Sequence, residues 1–305
     1  MIIITGQTAT GKTKLALDLA KKNNDEIVNF DARQIYKKLD IITGKDINRK
    51  TDKFFLWKKI DQFDIGYYLK DGVKIWLYDI VFPNQYFSSF NYVFLCQQVI
   101  KKIEKDGKTP ILVGGSYFYL KHLLYGFDYP VPPNFSLRKK LEDFPVEKLQ
   151  EILREKRADF FAAMNESDRK NKRRLIRKIE IAQYWSNNKI NPRKKQKTTP
   201  LFSIEEFIGL RFDNKEVLRK KIETRVKKRL EQGAVEEVKN LLKEGCQNDD
   251  PGLQTIGYKQ LIPVVFKEKN LSQAVLEWIA AEILYAKRQY TFMKKDENIQ
   301  WQRVN

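Results

Sequence analysis

The chain opens on an apolar run, "MIII", that passes within two residues into Gly6. A run this short, ended by a turn signal, predicts a strand buried on both faces. From Lys12 to Lys22 the spacing changes, and Leu15, Ala16 and Leu19 fall on one side of a helix. Two further runs predict strands: "EIVNFD" (Glu26–Asp31), which closes on an acid, and "KIWLYDIVF", which carries Asp79. Ser88 to Lys105 places Phe90, Val93, Phe94, Val99, Ile100 and Ile103 at helical spacing, and Gly107 marks the end. "TPILVGGS" is a fourth strand, bounded by Pro110 and by Gly114-Gly115. Strands alternating with helices over the first ~125 residues predict an α/β fold, a parallel sheet flanked by helices.

The pattern changes near "DYPVPPNF". From there to Asn188 it is helical without a strand, and "KINPRKKQKTTP" follows as a basic, proline-bounded linker. "FIGLRF" restores a strand, and two or three helices are expected to complete the chain. Residues 1–127 and 201–305 therefore read as one α/β core, and 128–200 as an all-helical insertion domain.

Composition changes this picture in two respects. No apolar run approaches the ~20 residues that span a bilayer, and the chain enters its glycine loop at once, so a soluble, cytoplasmic protein is expected. Two cysteines, Cys96 and Cys246, and one histidine, His122, argue against a disulfide framework, a four-ligand zinc site and metal-hydrolase chemistry. A formal net charge of +19 predicts a polyanionic partner such as nucleic acid, with lysine-rich composition as the bland alternative.

Clustering favours the partner. In "DRKNKRRLIRK", Arg169, Lys170, Lys172, Arg173, Arg174, Arg177 and Lys178 stand almost without acids, where a solvated helix face mixes signs. "RKKQK" (Arg193–Lys197) and "AKRQ" (Ala286–Gln289) add to it. His122, among Leu120, Leu123 and Leu124, reads as a surface or packing residue.

The candidate chemistry begins in "GQTATGKT", Gly6 to Thr13, which fits the phosphate-binding pattern G-x-x-x-x-G-K-[ST] between a strand and a helix. Its N–H groups would wrap phosphate oxygens at the positive helix end, Lys12 adds a point charge, and the Thr13 hydroxyl can hold Mg²⁺. Asp31 and Asp79 both close apolar runs. Either would serve as the magnesium aspartate of an NTPase, Asp31 alternatively as a general base, and either as a turn or helix cap. Arg225 edges the apolar face formed by Leu218, Ile222, Val226 and Leu230, where an arginine snorkels or reaches an anion. Asp213 and Glu216 read as a capping box for that helix.

Taken in order, these segments resemble the tRNA dimethylallyltransferases, isopentenyltransferases that modify the adenosine beside the anticodon. "GQTATGKTKLA" is similar to the family's GPTASGKT, and "FDARQIYKKLDIITGKD" to its DSRQ-Y-x-x-MDIGTAKP segment. "ILVGGSYFYLKHLLYGFD", "RRLIRKIEI", "IETRVKKRLEQGAVEEVKNL", "TIGYKQL" and "YAKRQYTF" resemble further family segments.

The resemblance implies a P-loop NTPase-like fold. It also implies transfer of a dimethylallyl group from dimethylallyl diphosphate to the N6 amine of adenosine at tRNA position 37, with diphosphate as leaving group. It gives Asp31 the role of base. The diphosphate goes to Gly6, Gln7, Thr8, Ala9, Thr10, Gly11, Lys12 and Thr13 with Mg²⁺, helped by Arg225. Ser116, in place of the family threonine, offers its hydroxyl to the diphosphate or the base. Ala32, Arg33 and Gln34 hold the adenosine, which must be flipped out of its stack. Arg138, Arg173, Arg174, Arg177, Gly257, Tyr258, Lys287, Arg288 and Gln289 grip the anticodon stem-loop. A monomer is expected.

The chain departs from the pattern in places. Gln7 replaces a proline in the variable part of the loop, a change expected to be harmless. The family histidine is absent at "IWLYD", and "TAKP" is Thr43-Gly44-Lys45-Asp46. The alternatives are a small-molecule kinase or NTPase using the same loop, and a prenyltransferase acting on free adenine nucleotides.

Overall fold

The computed structural model describes residues 1–49, 51–129, 131–188 and 199–304, which form two compact units. Met1–Tyr125 and Thr199–Asn305 make the first, Gly126–Thr198 the second. The basic stretch Arg193–Lys197 lies outside the described residues.

The first unit begins with β1 (Ile2–Gly6), α1 (Lys12–Asn23), β2 (Glu26–Asn29), β3 (Phe54–Ile60), β4 (Phe63–Lys70) and β5 (Val73–Trp76). Then come α2 (Ser89–Lys105), β6 (Pro110–Val113) and α3 (Tyr117–Tyr125). The second unit holds α4 (Phe135–Glu142), α5 (Val146–Ala162), α6 (Glu166–Arg169) and α7 (Lys172–Asn188). The chain returns to the first unit with β7 (Glu206–Phe212), α8 (Lys215–Glu231), α9 (Ala234–Lys243), α10 (Tyr258–Val265), α11 (Leu271–Met293) and β8 (Gln300–Val304).

The strands form one sheet in the order β3-β4-β5-β2-β6-β1-β7-β8. From β5 to β8 every neighbour is parallel; β3 and β4 are antiparallel additions at one edge. The opening apolar run is buried throughout because Ile4 lies between Val113 of β6 and Ile208 of β7. Since β1, β2 and β6 run the same way, Gly6, Asn29 and Val113 end at one edge of the sheet. The segments that follow, the glycine loop, Asp31 and Ser116, therefore emerge together, as binding groups do in open α/β sheets.

Local readings are corrected at several points. The third apolar run stops as a strand at Trp76, because Leu77 and Asp79 take positive φ (65° and 56°). Asp79 thus sits in a buried turn rather than at a strand end. On α1 the buried positions are Ala16 and Ala20, with Leu15 and Leu19 half-covered. On α2 Phe90 and Phe94 are exposed, and Tyr92, Leu95 and Cys96 enter the core instead. Asn214, not Asp213, caps α8 by accepting from the Glu216 N–H, while Asp213 pairs with Arg211 and Arg303. Beyond β7, α8, α9, α10 and α11 replace the two or three helices expected, and β8 closes the sheet edge.

In the second unit α7 packs Leu175, Ile179 and Trp185 against Leu149, Leu153 and Phe160 of α5. Much of its basic cluster is occupied within the unit. Arg138 and Arg177 both pair with Glu180, a buried carboxylate, and Arg177 also donates to the Val131 carbonyl at 2.7 Å. Arg174 pairs with Asp168, and the Lys178 ammonium lies 4.5 Å from the Tyr129 ring centre. Arg173 is exposed and, among the described residues, pairs with no acid.

Candidate active site

The glycine loop takes its shape from steric exclusion. At Gly6 (φ 125°) a Cβ would lie 2.0 Å from the Leu210 carbonyl oxygen, so only glycine lets β7 approach. Ala9 is held at φ 66°, a left-handed conformation that costs an L-residue roughly 1–2 kcal/mol. No side chain caps the start of α1 at Gly11, leaving its first-turn N–H groups for an external acceptor.

Gln7 is not inert. It is buried, its Oε1 accepts from the Phe212 N–H at 2.8 Å, and its Nε2 donates to the Ala286 carbonyl at 3.4 Å. Gln289 completes this tie: its Oε1 accepts from the Thr8 N–H at 2.9 Å and its amide donates to the Gly115 carbonyl at 3.0 Å. The loop is thereby fastened to β7, α11 and the turn after β6.

The loop forms one wall of a cleft of 390 Å³, also lined by Asp31, Asp46, Arg225 and Tyr285. Lys12 curls back, donating to the Gln7 carbonyl at 2.6 Å and the Gly6 carbonyl at 3.2 Å. Burial, then the charge of Arg225, lowers its pKa to about 7, against opposing pulls from Asp31 and Asp46. The Arg225 guanidinium donates to the Thr8 hydroxyl. Arg229 is buried beside Glu282 at 3.1 Å; desolvation, with Arg225 adding to it, brings its pKa down to about 10.

Both arginines approach the backbone at Gly44, where a Cβ would stand 2.6 Å from Arg229 Nη2 and 3.0 Å from Arg225 Nη2. The cleft thus concentrates positive charge at the loop, as an anion site requires.

Asp31 lies two residues beyond β2. Its Oδ1 accepts from the Arg33 N–H at 2.9 Å, and among the described residues no cation pairs with it. Ser116 Oγ accepts from the Ala32 N–H at 2.9 Å, and Tyr285 lines the cleft beside Asp31. Gln34 donates to the carbonyls of Thr43 (3.3 Å) and Gly44 (2.9 Å), linking the Asp31 turn to the 40–46 segment.

That segment is indexed by Glu237, whose carboxylate accepts the backbone N–H groups of Asp40 (2.9 Å), Ile41 (2.6 Å) and Ile42 (3.1 Å). Tyr258 is fully buried and donates to the same carboxylate at 2.6 Å. Burial does not fit the expectation that Tyr258 and Gln289 face RNA; both hold the site together from within. Gly257 likewise packs on Ile42 and Trp278. Lys287 and Arg288 are exposed, as is Arg33, which also reaches the Pro251 carbonyl at 3.4 Å.

Asp79 is engaged elsewhere. Its carboxylate accepts from Lys45, from Tyr68 and from Arg49 at 2.6 Å, which makes it the hub of a buried ion network. Arg229 and Glu237 both lie in the family-like segment Ile222–Leu241, which by itself gives them no role, and Asp46 stands in the sequence only as a departure from a pattern.

Because Lys12 is half-neutral near pH 7 without a ligand, an arriving diphosphate should recharge it. Diphosphate affinity is therefore expected to fall as pH rises above about 7, by up to tenfold per unit from this group. Lys12→Met should bind more weakly and lose that part of the slope. Calorimetry with inorganic diphosphate, in buffers of different ionisation enthalpy, reads the proton uptake; identical pH profiles for both proteins would refute it.

Fold and loop together define an α/β protein of P-loop type whose cleft sets a cationic glycine loop beside the Asp31 carboxylate. Two family models match, IPP transferase over residues 34–296 and isopentenyl transferase over residues 1–59. A tRNA dimethylallyltransferase of Staphylococcus haemolyticus is 33% identical over 99% of this chain and 86% of its own length. One from Hydrogenobaculum sp. is 34% identical over 96% and 91%. The crystal structure of a tRNA isopentenylpyrophosphate transferase from Bacillus halodurans superposes with a TM-score of 0.67 at 28% identity, covering 100% of this chain and 90% of that one. The chain belongs to the tRNA dimethylallyltransferase family.

Proposed function

We propose that the protein transfers a dimethylallyl group from dimethylallyl diphosphate to the N6 amine of the adenosine next to a tRNA anticodon, in the cytoplasm. One observation carries the reading in this chain: a cationic loop of phosphate-cradle pattern and Asp31, a carboxylate without a cationic partner among the described residues, line the same cleft. In the reaction the amine nitrogen bonds to the allylic carbon, the carbon–oxygen bond to diphosphate breaks, and the amine proton passes to Asp31. An exocyclic adenine amine is a poor nucleophile, so proton removal must accompany attack. Lys12, Arg225 and the loop N–H groups hold the charge that builds on the departing diphosphate. Arg33 and Gln34, beside Asp31, frame the adenosine.

Among the described residues no group of three or more His, Cys, Asp or Glu side chains could hold a metal alone. Oxygen donors at the loop, with Thr13 first, suit Mg²⁺, which takes one or two protein oxygens plus substrate phosphates. When bound it would neutralise diphosphate charge. Among the described residues no helix is long and apolar enough to cross a membrane.

A transfer assay tests the reading with labelled dimethylallyl diphosphate, Mg²⁺ and, in parallel, unmodified anticodon stem-loop RNA, AMP and ATP. Label on the RNA alone is expected. Label on AMP or ATP would make the protein a nucleotide prenyltransferase, and ATP hydrolysis without label would make it an NTPase.

A further inference from the structure

The helices flanking Asp31 carry large aromatic side chains on the outside. Phe118 on α3 is 54% exposed, Phe90 and Phe94 on α2 are 50% and 47%, and Tyr86 in the loop before α2 is 43%. Exposed apolar side chains mark a contact site where they gather on one face.

They form a route that starts at the candidate active site. Ser116, which accepts from the Ala32 N–H, stands two residues before Phe118. The Phe118 ring centre is 4.3 Å from that of His122, whose Nδ1 lies 2.9 Å from the Ser89 hydroxyl. Phe90 is the next residue, and Phe94 follows one helical turn on. Tyr86 stands in the loop just before α2. Its loop follows Val81, which bridges to Tyr36, four residues beyond Ala32.

Charge selects the partner. No aspartate or glutamate occurs from Ile80 to Ile103 or from Gly107 to Phe127. At the far end of α2 Lys102 pairs with Asp106 and Lys108 with Glu26, which leaves Lys101 and Lys121 as the cations without an acid among the described residues. An aromatic surface without acids, on a chain of net charge +19, suits a polyanion with planar groups rather than a protein.

We propose that Phe118, Phe90, Phe94 and Tyr86 form a stacking surface for unpaired RNA bases beside the reacting adenosine. The inference rests on the tRNA reading above. Flipping one base leaves its neighbours without a stacking partner, and exposed rings leading away from Asp31 would supply one.

The test compares the full-length protein with the triple variant Phe90→Ala/Phe94→Ala/Phe118→Ala. Binding of an anticodon stem-loop and of a blunt duplex of equal length is read by fluorescence anisotropy at several salt concentrations, with transfer kinetics alongside. The variant should bind the stem-loop roughly tenfold or more weakly, as expected for lost base–aromatic stacking. Its duplex affinity, salt slope and KM for dimethylallyl diphosphate should be unchanged, while KM for RNA rises. The tryptophan variant Phe118→Trp keeps a stacking face and should bind like wild type.

Wild-type transfer with equal stem-loop affinity in both proteins would overturn the surface and leave the function standing. An equal loss on duplex and stem-loop would also overturn it, since phosphate contact would then explain the effect. A wild-type dimer that the triple variant dissolves, seen by sedimentation, would assign the surface to a second copy. Wild-type protein that neither binds nor modifies the stem-loop would remove both proposals.

Discussion

Replacing Asp31 by asparagine is expected to lower the transfer rate by roughly 10²–10⁴-fold while RNA still binds, the usual contribution of a positioned base. Asparagine is nearly isosteric, and its carbonyl oxygen can keep the bond from the Arg33 N–H that shapes the turn. The Ala32 N–H remains on Ser116, so the backbone has no reason to move. The loss would be chemical rather than structural. Single-turnover transfer gives the rate, and anisotropy with stem-loop RNA gives the affinity. A variant that turns over like wild type would remove Asp31 as base and direct attention to Asp46, the other carboxylate in the cleft. A variant that loses RNA binding as well would make Asp31 a recognition residue.

The loop, Asp31 and Arg225 are all legible in the sequence where they stand. The loop has a spacing dictated by phosphate geometry, and Arg225 edges an apolar stripe. Burial on both faces made β1, β2 and β6 legible as short apolar runs. The β3–β4 hairpin was not legible because Phe54, Phe55 and Leu56 in succession are exposed, so no alternation marks a buried face. β8 is similarly half-open, and its place depends on pairing with β7, almost ninety residues earlier in the chain.

The inward residues were misjudged for a different reason. Tyr258 and Gln289 lie in segments with the look of RNA contacts, but which side of a helix faces a loop is decided by tertiary packing. Glu237 lies in a family-like segment, but its role is not legible there, since it accepts from three N–H groups some 195 residues away.

The second large effect concerns the ion network behind the cleft. Lys45→Met is expected to lower stability by about 3–5 kcal/mol, the cost of leaving a buried carboxylate without its partner. The Lys45 side chain is wholly buried; its ammonium donates to the Tyr36 carbonyl at 2.7 Å, to Asp40 at 2.8 Å and to Asp79. Arg49 remains for both acids, pairing with Asp40 at 2.7 Å and Asp79 at 2.6 Å, which places the effect at the lower end of that range. Asp79→Asn should also destabilise. The double variant Lys45→Met/Asp79→Asn should lose less than the sum, because neither buried charge then stands alone.

Urea denaturation of the four proteins measures this coupling directly. The same cycle decides between two roles for Asp79. A magnesium aspartate could be neutralised with little change in stability and no coupling to Lys45, and metal-dependent turnover alone would fall. A network residue couples to Lys45 in stability. It weakens turnover only through the 40–46 segment, which carries Gly44 and Asp46 into the cleft. Additive losses in the cycle would return Asp79 to the candidate metal ligands.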